Sequence, residues 1–256
     1  MSLLYILSGA CVGLIVGLTG VGGGSLMTPI LVLLFGIHPA TAVGTDLLYA
    51  AVTKGTGSIV HGFKQNVAWK VVGLLAAGSV PAAAATLVVI SHLGIRSAAS
   101  AHLINVALGC ALLLTATLLL FRKWIQSLRR VSQEPHPTRD LVLTVVTGVV
   151  VGFLVSITSV GAGAVGVTAL LLLYPTYPTV RIVGTDVVHA VPLTLVAGLG
   201  HWWIGSVDLV LLSSLLIGSI PGILVGSYAA PLIPERGLRM LLAIVLTLVA
   251  AKLILS

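Results

Sequence analysis

Between Leu3 and Phe35 the chain carries no charged side chain, and in the middle of that run stand Gly20, Gly22, Gly23 and Gly24. The combination is restrictive. A helix that spans a bilayer needs ~20 apolar residues, and neither 3–18 nor 26–35 reaches that length comfortably. Each glycine costs ~1 kcal/mol relative to alanine inside a helix, so the helix is expected to break between the two runs. A broken backbone in hydrocarbon leaves amides and carbonyls unpaired. It is tolerated only where it faces protein or a wet cavity. Gly17-Leu18-Thr19-Gly20-Val21-Gly22-Gly23-Gly24-Ser25 is therefore the first candidate for a site that handles a solute at membrane depth.

Composition supports a membrane setting. Of 256 residues, 58% are hydrophobic and only 7% charged, against about 25% charged in a soluble domain. The chain reads as an all-α polytopic membrane protein. Its net charge of +7 is better read as cytoplasmic-side anchoring than as a nucleic-acid surface. Cys11 and Cys110 lie in apolar segments and read as packing residues, with no disulfide framework and no metal site. No basic residue precedes Leu3, so the first segment lacks the charged start of a signal peptide and is expected to be retained.

The break has a second copy. Thr19-Gly20-Val21-Gly22-Gly23-Gly24 matches Thr158-Ser159-Val160-Gly161-Ala162-Gly163 at an offset of 139. After a one-residue slip the offset becomes 140. Val43-Gly44-Thr45-Asp46 then matches Val183-Gly184-Thr185-Asp186, His61 matches His201, and Gly78-Ser79-Val80-Pro81 matches Gly218-Ser219-Ile220-Pro221. Several separate matches at one offset mark a duplication. The expected division is a first transmembrane repeat over 1–121, a basic cytoplasmic linker over 122–140 and a second repeat over 141–256. The first half reads as apolar pieces at 3–35, 41–60, 67–90 and 98–121. The second half reads as 141–174, 182–200, 207–228 and 238–255.

Charge placement bears on topology. If each glycine-interrupted piece is a re-entrant helix pair, each half crosses the membrane three times and the halves run in opposite directions. Lys64, Lys70, the linker cations Arg122, Lys123, Arg129, Arg130 and Arg139, and Arg181, Arg236 and Arg239 then share one side. Only Arg96 and Lys252 face the other. The positive-inside rule favours this inverted repeat, the arrangement in which many transporters place a midplane site.

Few side chains at depth can carry chemistry. Asp46 and Asp186 are equivalent, each within Gly-Thr-Asp. They can cap helices, or they can line a cavity and handle protons. Lys54 is the one basic residue inside an apolar segment, and Thr194 stands at the matching position. It could attract an anion, pair with Asp46 two turns earlier, or snorkel. His61 and His201 close equivalent helices, as interface residues or as gating and proton-handling groups. His102 with Asn105, and Asp186 with His189, each share a helical face and could form interhelical hydrogen bonds. Around the breaks, Thr19, Ser25, Thr158 and Ser159 add hydroxyls to Gly20, Gly22, Gly23, Gly24, Gly161 and Gly163. Helix N-termini favour anions, so this set is the expected substrate-binding group, together with Lys54. Gly9, Gly13 and Gly17, spaced by four, read as a helix-packing surface. No nucleotide-binding glycine motif fits, and no nucleophile or metal-ligand spacing points to an enzyme.

Gly17 to Gly24 followed by Pro29, Ala42-Val43-Gly44-Thr45, His61 with Asn66-Val67-Ala68-Trp69, Gly205-Ser206-Val207-Asp208 and Gly218-Ser219-Ile220-Pro221-Gly222 together resemble the sulfite exporter TauE/SafE family. The resemblance covers both halves. It implies a multi-pass inner-membrane permease for small sulfur-containing anions such as sulfite or an organosulfonate such as sulfoacetate. The expected function is a secondary transporter that exports such anions by alternating access, linked to the proton gradient. The alternatives are an uncoupled anion channel, or a membrane scaffold or sensor without transport. Expected partners are the anion and the lipid bilayer. A homodimer is one assembly open to such a chain, and neither nucleic acid nor a cofactor is expected.

Overall fold

The computed structural model describes residues 3–19, 24–63, 65–92, 98–121, 124, 127, 137–229 and 235–255. These form ten α-helices and no strand: α1 (Leu3–Thr19), α2 (Gly24–Leu33), α3 (Pro39–Phe63), α4 (Trp69–His92), α5 (Ala98–Leu120), α6 (Pro137–Thr158), α7 (Ala164–Leu173), α8 (Thr179–Trp203), α9 (Leu209–Ala229) and α10 (Glu235–Leu255). Helix is the expected answer for such a composition, since only helices and closed barrels satisfy every backbone group in lipid. By length and apolarity α4, α5, α6, α8 and α9 can each cross a membrane. Many large apolar side chains point outward, among them Leu3, Val89, Phe153, Leu224 and Leu248, as a lipid-facing surface requires. Helix α6 begins at Pro137, inside the range read from sequence as linker.

Helices α1 and α2 fold back on each other. The ring of Tyr5, near the start of α1, packs edge-on against Phe35, just past the end of α2, with centroids 4.8 Å apart. At 1.5 Å per residue, Tyr5 lies roughly 21 Å from the end of α1. The chain therefore runs inward along α1 and back along α2. Helices α6 and α7 make the same turn. Thr144 Oγ1 and the Tyr174 hydroxyl, at the corresponding places, are hydrogen-bonded at 2.7 Å.

Glycines fix how these arms dock. Gly9, Gly13 and Gly17 of α1 lie against the backbone of Leu215, Ser219 and Ile223 of α9, and no Cβ could be placed on any of the three without a backbone collision. Gly218, Gly222 and Gly226 answer from α9 against Ile6, Ala10 and Leu14. The contacts advance together along both helices, so α1 and α9 run parallel. Gly148 and Gly152 of α6 pack in the same way on Leu75 and Ser79 of α4, and Gly78 of α4 packs on Val145. The packing reading of Gly9, Gly13 and Gly17 thus holds. Small residues that let backbones approach are how helices associate where lipid removes any hydrophobic drive.

Helices α3 and α8 cross at the centre in opposite directions: Gly44 lies against His201 and Ser206, while Gly198 lies against Leu48. Cys11 and Cys110 are both free and exposed, so neither is the packing residue expected from sequence.

Candidate functional site

The two breaks meet. Helix α6 ends at Thr158, whose hydroxyl donates to the Leu154 carbonyl at 2.6 Å and accepts the Val160 N–H at 3.1 Å. Next come three residues with positive φ: Ser159 at 58°, Gly161 at 122° and Gly163 at 124°. For serine a left-handed conformation costs roughly 1–2 kcal/mol, and such outliers gather where surroundings hold a functional geometry in place. Helix α7 then starts after Gly163 with no side-chain cap. Gly24, the first residue of α2, sits so close to the Ser159 carbonyl that no side chain fits there.

Between the N-termini of α2 and α7 lies a cavity of about 10 Å³, lined in part by Gly24, Ser25, Thr115, Ser159, Gly161 and Ala162. That is room for about one water. The hydroxyls of Ser159 and Thr115 are buried and have no hydrogen-bond partner. A helix N-terminus presents free amides and a partial positive charge, so two of them converging on one cavity with unpaired hydroxyls form a setting suited to an anion.

The acids sit beside this cavity in mid-helix. Asp46 is 0% and Asp186 1% exposed. Each lies well inside its helix, α3 or α8, so the capping reading is corrected. The residue flanking the start of α8 is Pro178, which makes no side-chain cap. Thr28 Oγ1 of α2 donates to Asp46 Oδ2 at 2.5 Å, and the Ser159 hydroxyl lies near the same carboxylate. Asp186 is packed against Gly166 of α7, where any side chain would collide with Oδ1. One oxygen of each acid, Oδ1, has no partner. Lys54 Nζ donates to the Ala162 carbonyl at 3.0 Å, and its charge acts on both carboxylates. Its hydrogen bond thus goes to the second break, 108 residues away, rather than to Asp46 along its own helix.

The threonines of the two Gly-Thr-Asp motifs tie the halves together reciprocally. Thr45 accepts the Asp208 N–H at 3.1 Å. Thr185 accepts the Ala68 N–H at 2.9 Å. Asp208 and Ala68 are themselves 140 residues apart. His201 is buried and its Nε2 donates to the Ser156 carbonyl at 2.9 Å. It is a buried group that holds α8 to the end of α6. His189 Nε2 bonds Ser79 Oγ at 2.8 Å, an interhelical link between α8 and α4, but Asp186 takes no part in it. His102 is exposed and Asn105 Oδ1 has no partner, so that pair does not form. Gly20, Gly22 and Gly23, and the side chains of Thr19 and His61, lie outside the described residues. Three groups at the site were missed from sequence: Thr28, Thr115 and the Ala162 carbonyl. Thr28 and Ala162 carried at most the signal of a hydroxyl or a small residue in or beside a break, and Thr115, in α5, carried none.

Residues 5–253 match the family described as Sulfite exporter TauE/SafE. The chain belongs to the TauE/SafE family. Among its relatives is the probable membrane transporter protein YjnA of Bacillus subtilis (strain 168), 39% identical over 256 residues, covering 99% of this chain and 100% of that protein. Another is the probable membrane transporter protein YdhB of the same organism, 31% identical over 259 residues, covering 99% of each. A probable membrane transporter protein of Xylella fastidiosa (strain 9a5c) is 25% identical over 227 residues, 84% of this chain and 79% of its own. No solved structure matches. This TauE/SafE protein is thus a multi-pass membrane protein of a transporter family.

Proposed function

We propose that this TauE/SafE protein is a secondary transporter that exports small sulfur-containing anions, sulfite or an organosulfonate such as sulfoacetate, across the inner membrane by alternating access linked to the proton gradient. The observation that carries the reading is the cavity between the N-termini of α2 and α7, with two unpaired hydroxyls in its lining and with Lys54 bonded to the carbonyl of Ala162, one of its lining residues. The anion would be held by Ser25, Thr158, Ser159, Gly24, Gly161, Gly163 and Lys54. Asp46, Asp186 and His201 would gate the path or move protons.

The reading treats the chain as two inverted repeats, 1–121 and 141–256, joined by a cytoplasmic linker. The antiparallel crossing of the equivalent helices α3 and α8 supports inversion, because equivalent helices related by an axis in the membrane plane must point oppositely. The meeting of Tyr5 with Phe35, and of Thr144 with Tyr174, supports re-entrant pairs whose tips end at the bilayer centre. A cavity with room for about one water favours alternating access over an open channel, because the hairpin tips must part before an anion can be held.

The test is flux in proteoliposomes of the purified protein with sulfite, sulfoacetate, thiosulfate and sulfate, each with and without an imposed pH gradient. Saturable movement of a sulfur oxyanion, altered by the gradient, is expected. Absence of both movement and saturable binding for all four would overturn the reading. Flux that never saturates would leave the channel.

A further inference from the structure

Thr115 lies in α5, a helix that contributes no break and no acid to the site. Membrane-helix threonines usually return their hydroxyl to the carbonyl one turn back. Here Thr86, Thr117, Thr144, Thr147, Thr194 and Thr247 all do so, at 2.6–2.8 Å. Thr115 does not. It is 1% exposed, its Oγ1 has no partner, and it lines the cavity between α2 and α7. A buried hydroxyl left unpaired has given up its bonds to water for nothing. Such a loss is tolerated where a bound group makes the missing bond. Ser159, which lines the same cavity, is also without a hydrogen-bonded partner, although the Asp46 carboxylate stands beside it, and its backbone is left-handed.

We infer that Thr115 is a substrate ligand, and that with Ser159 and the N-termini of α2 and α7 it forms a socket that selects a bare oxyanion head over one bearing a second acidic arm. This rests on the transport reading above and narrows its substrate class. Two features set the selectivity. The cavity is about 10 Å³ and its lining includes Gly24, Gly161, Ala162 and the α5 hydroxyl, so the hairpin tips have to part least for the smallest head. Beside Ser159 stands the Asp46 carboxylate, and Lys54, the one cation near the site among the described residues, bonds the Ala162 carbonyl while its charge acts on both Asp46 and Asp186. A carboxylate arm such as that of sulfoacetate would have to enter among acids with no cation left to meet it. A lone head needs only amides and hydroxyls.

The experiment uses the full-length protein in detergent and in proteoliposomes. Sulfite binding is read by ligand-induced thermal shift, flux by radiolabelled sulfite, and selectivity by competition with sulfoacetate. Sulfite is expected to bind at least about tenfold more tightly than sulfoacetate. Thr115→Val keeps the shape and removes the hydroxyl. It is expected to weaken sulfite binding about tenfold, the equivalent of one lost hydrogen bond to an anion, while ligand-free melting stays at or above the parent value. Thr115→Ser is expected to bind within about twofold of the parent. If Thr115→Val melts normally and binds sulfite like the parent, the ligand role falls while the transport reading stands. The selectivity claim falls if sulfoacetate competes as well as sulfite. Should the parent protein bind and move none of these anions, the transport reading and this inference fall together.

Discussion

Lys54 and Thr194 occupy the same place in equivalent helices and do opposite things. The hydroxyl of Thr194 turns back to the Ala190 carbonyl of its own helix. Lys54 leaves its helix, crosses to the other half and bonds the Ala162 carbonyl in the second break. The carboxylates they accompany differ as well. Asp46 takes a hydrogen bond from Thr28 of α2, whereas Asp186 is pressed on Gly166 of α7, at a position where the first half has Met27. The scaffold is shared: glycine seams, folded-back arms and reciprocal threonine ties recur in both halves. The charge chemistry is not. Each half places one buried carboxylate at depth, and the charge of Lys54, from the first half alone, acts on both.

The comparison can be broken at four points. Lys54→Gln removes the cation whose charge acts on two buried carboxylates and which bonds the second break at the Ala162 carbonyl, and loss of a charge from a buried charged group is severe. Sulfite flux is expected to drop about a hundredfold or more, while Thr194→Val stays within about twofold. Equal losses in the two variants would erase the asymmetry. Gly166→Ala drives a methyl into Asp186 and should lower unfolding stability by about 1–3 kcal/mol. Gly73→Ala, in a helix position with open space around it, should instead raise it by about 0.5–1 kcal/mol. Thermal unfolding in detergent compares them. Thr28→Val strands Asp46 Oδ2 and should cost about 1–2 kcal/mol, with Thr28→Ser recovering most of it. Finally, Thr45→Val and Thr185→Val each remove one reciprocal tie. Both should cost ~1 kcal/mol and agree within about 0.5 kcal/mol. A large difference between them would mean that the shared frame is less symmetric than its hydrogen bonds.

Much of this was legible in the chain. Glycines at four-residue spacing declared the α1 seam, because close packing needs that residue type at that period. The breaks were visible because runs of glycine inside apolar sequence have few other uses. The depth of Asp46 and Asp186 followed from the segments around them, but their place in mid-helix did not: Gly-Thr-Asp after a proline turn looks like a helix start, and the helices begin a full two turns earlier, at Pro39 and Thr179. Thr115 was invisible for a different reason. A threonine that back-bonds and one that faces a cavity are spelled alike, and 140 residues on stands Leu255, so the duplication could not flag it. The destination of Lys54 was hidden because its partner is a carbonyl, which every residue has.

The parallel seams have a consequence for what counts as a part of this molecule. The arm at the beginning of the chain is fastened backbone to backbone to α9, and α6 is fastened to α4. Neither seam joins neighbours in the chain. A polypeptide severed between 128 and 136 would yield two fragments, each carrying half of every glycine seam and unable to close it alone. Synthesised together, the fragments should zip into one active complex; synthesised apart, each should be degraded. The point where the sequence repeats is thus not a line along which the packed helices divide, since each seam joins an early segment to a late one.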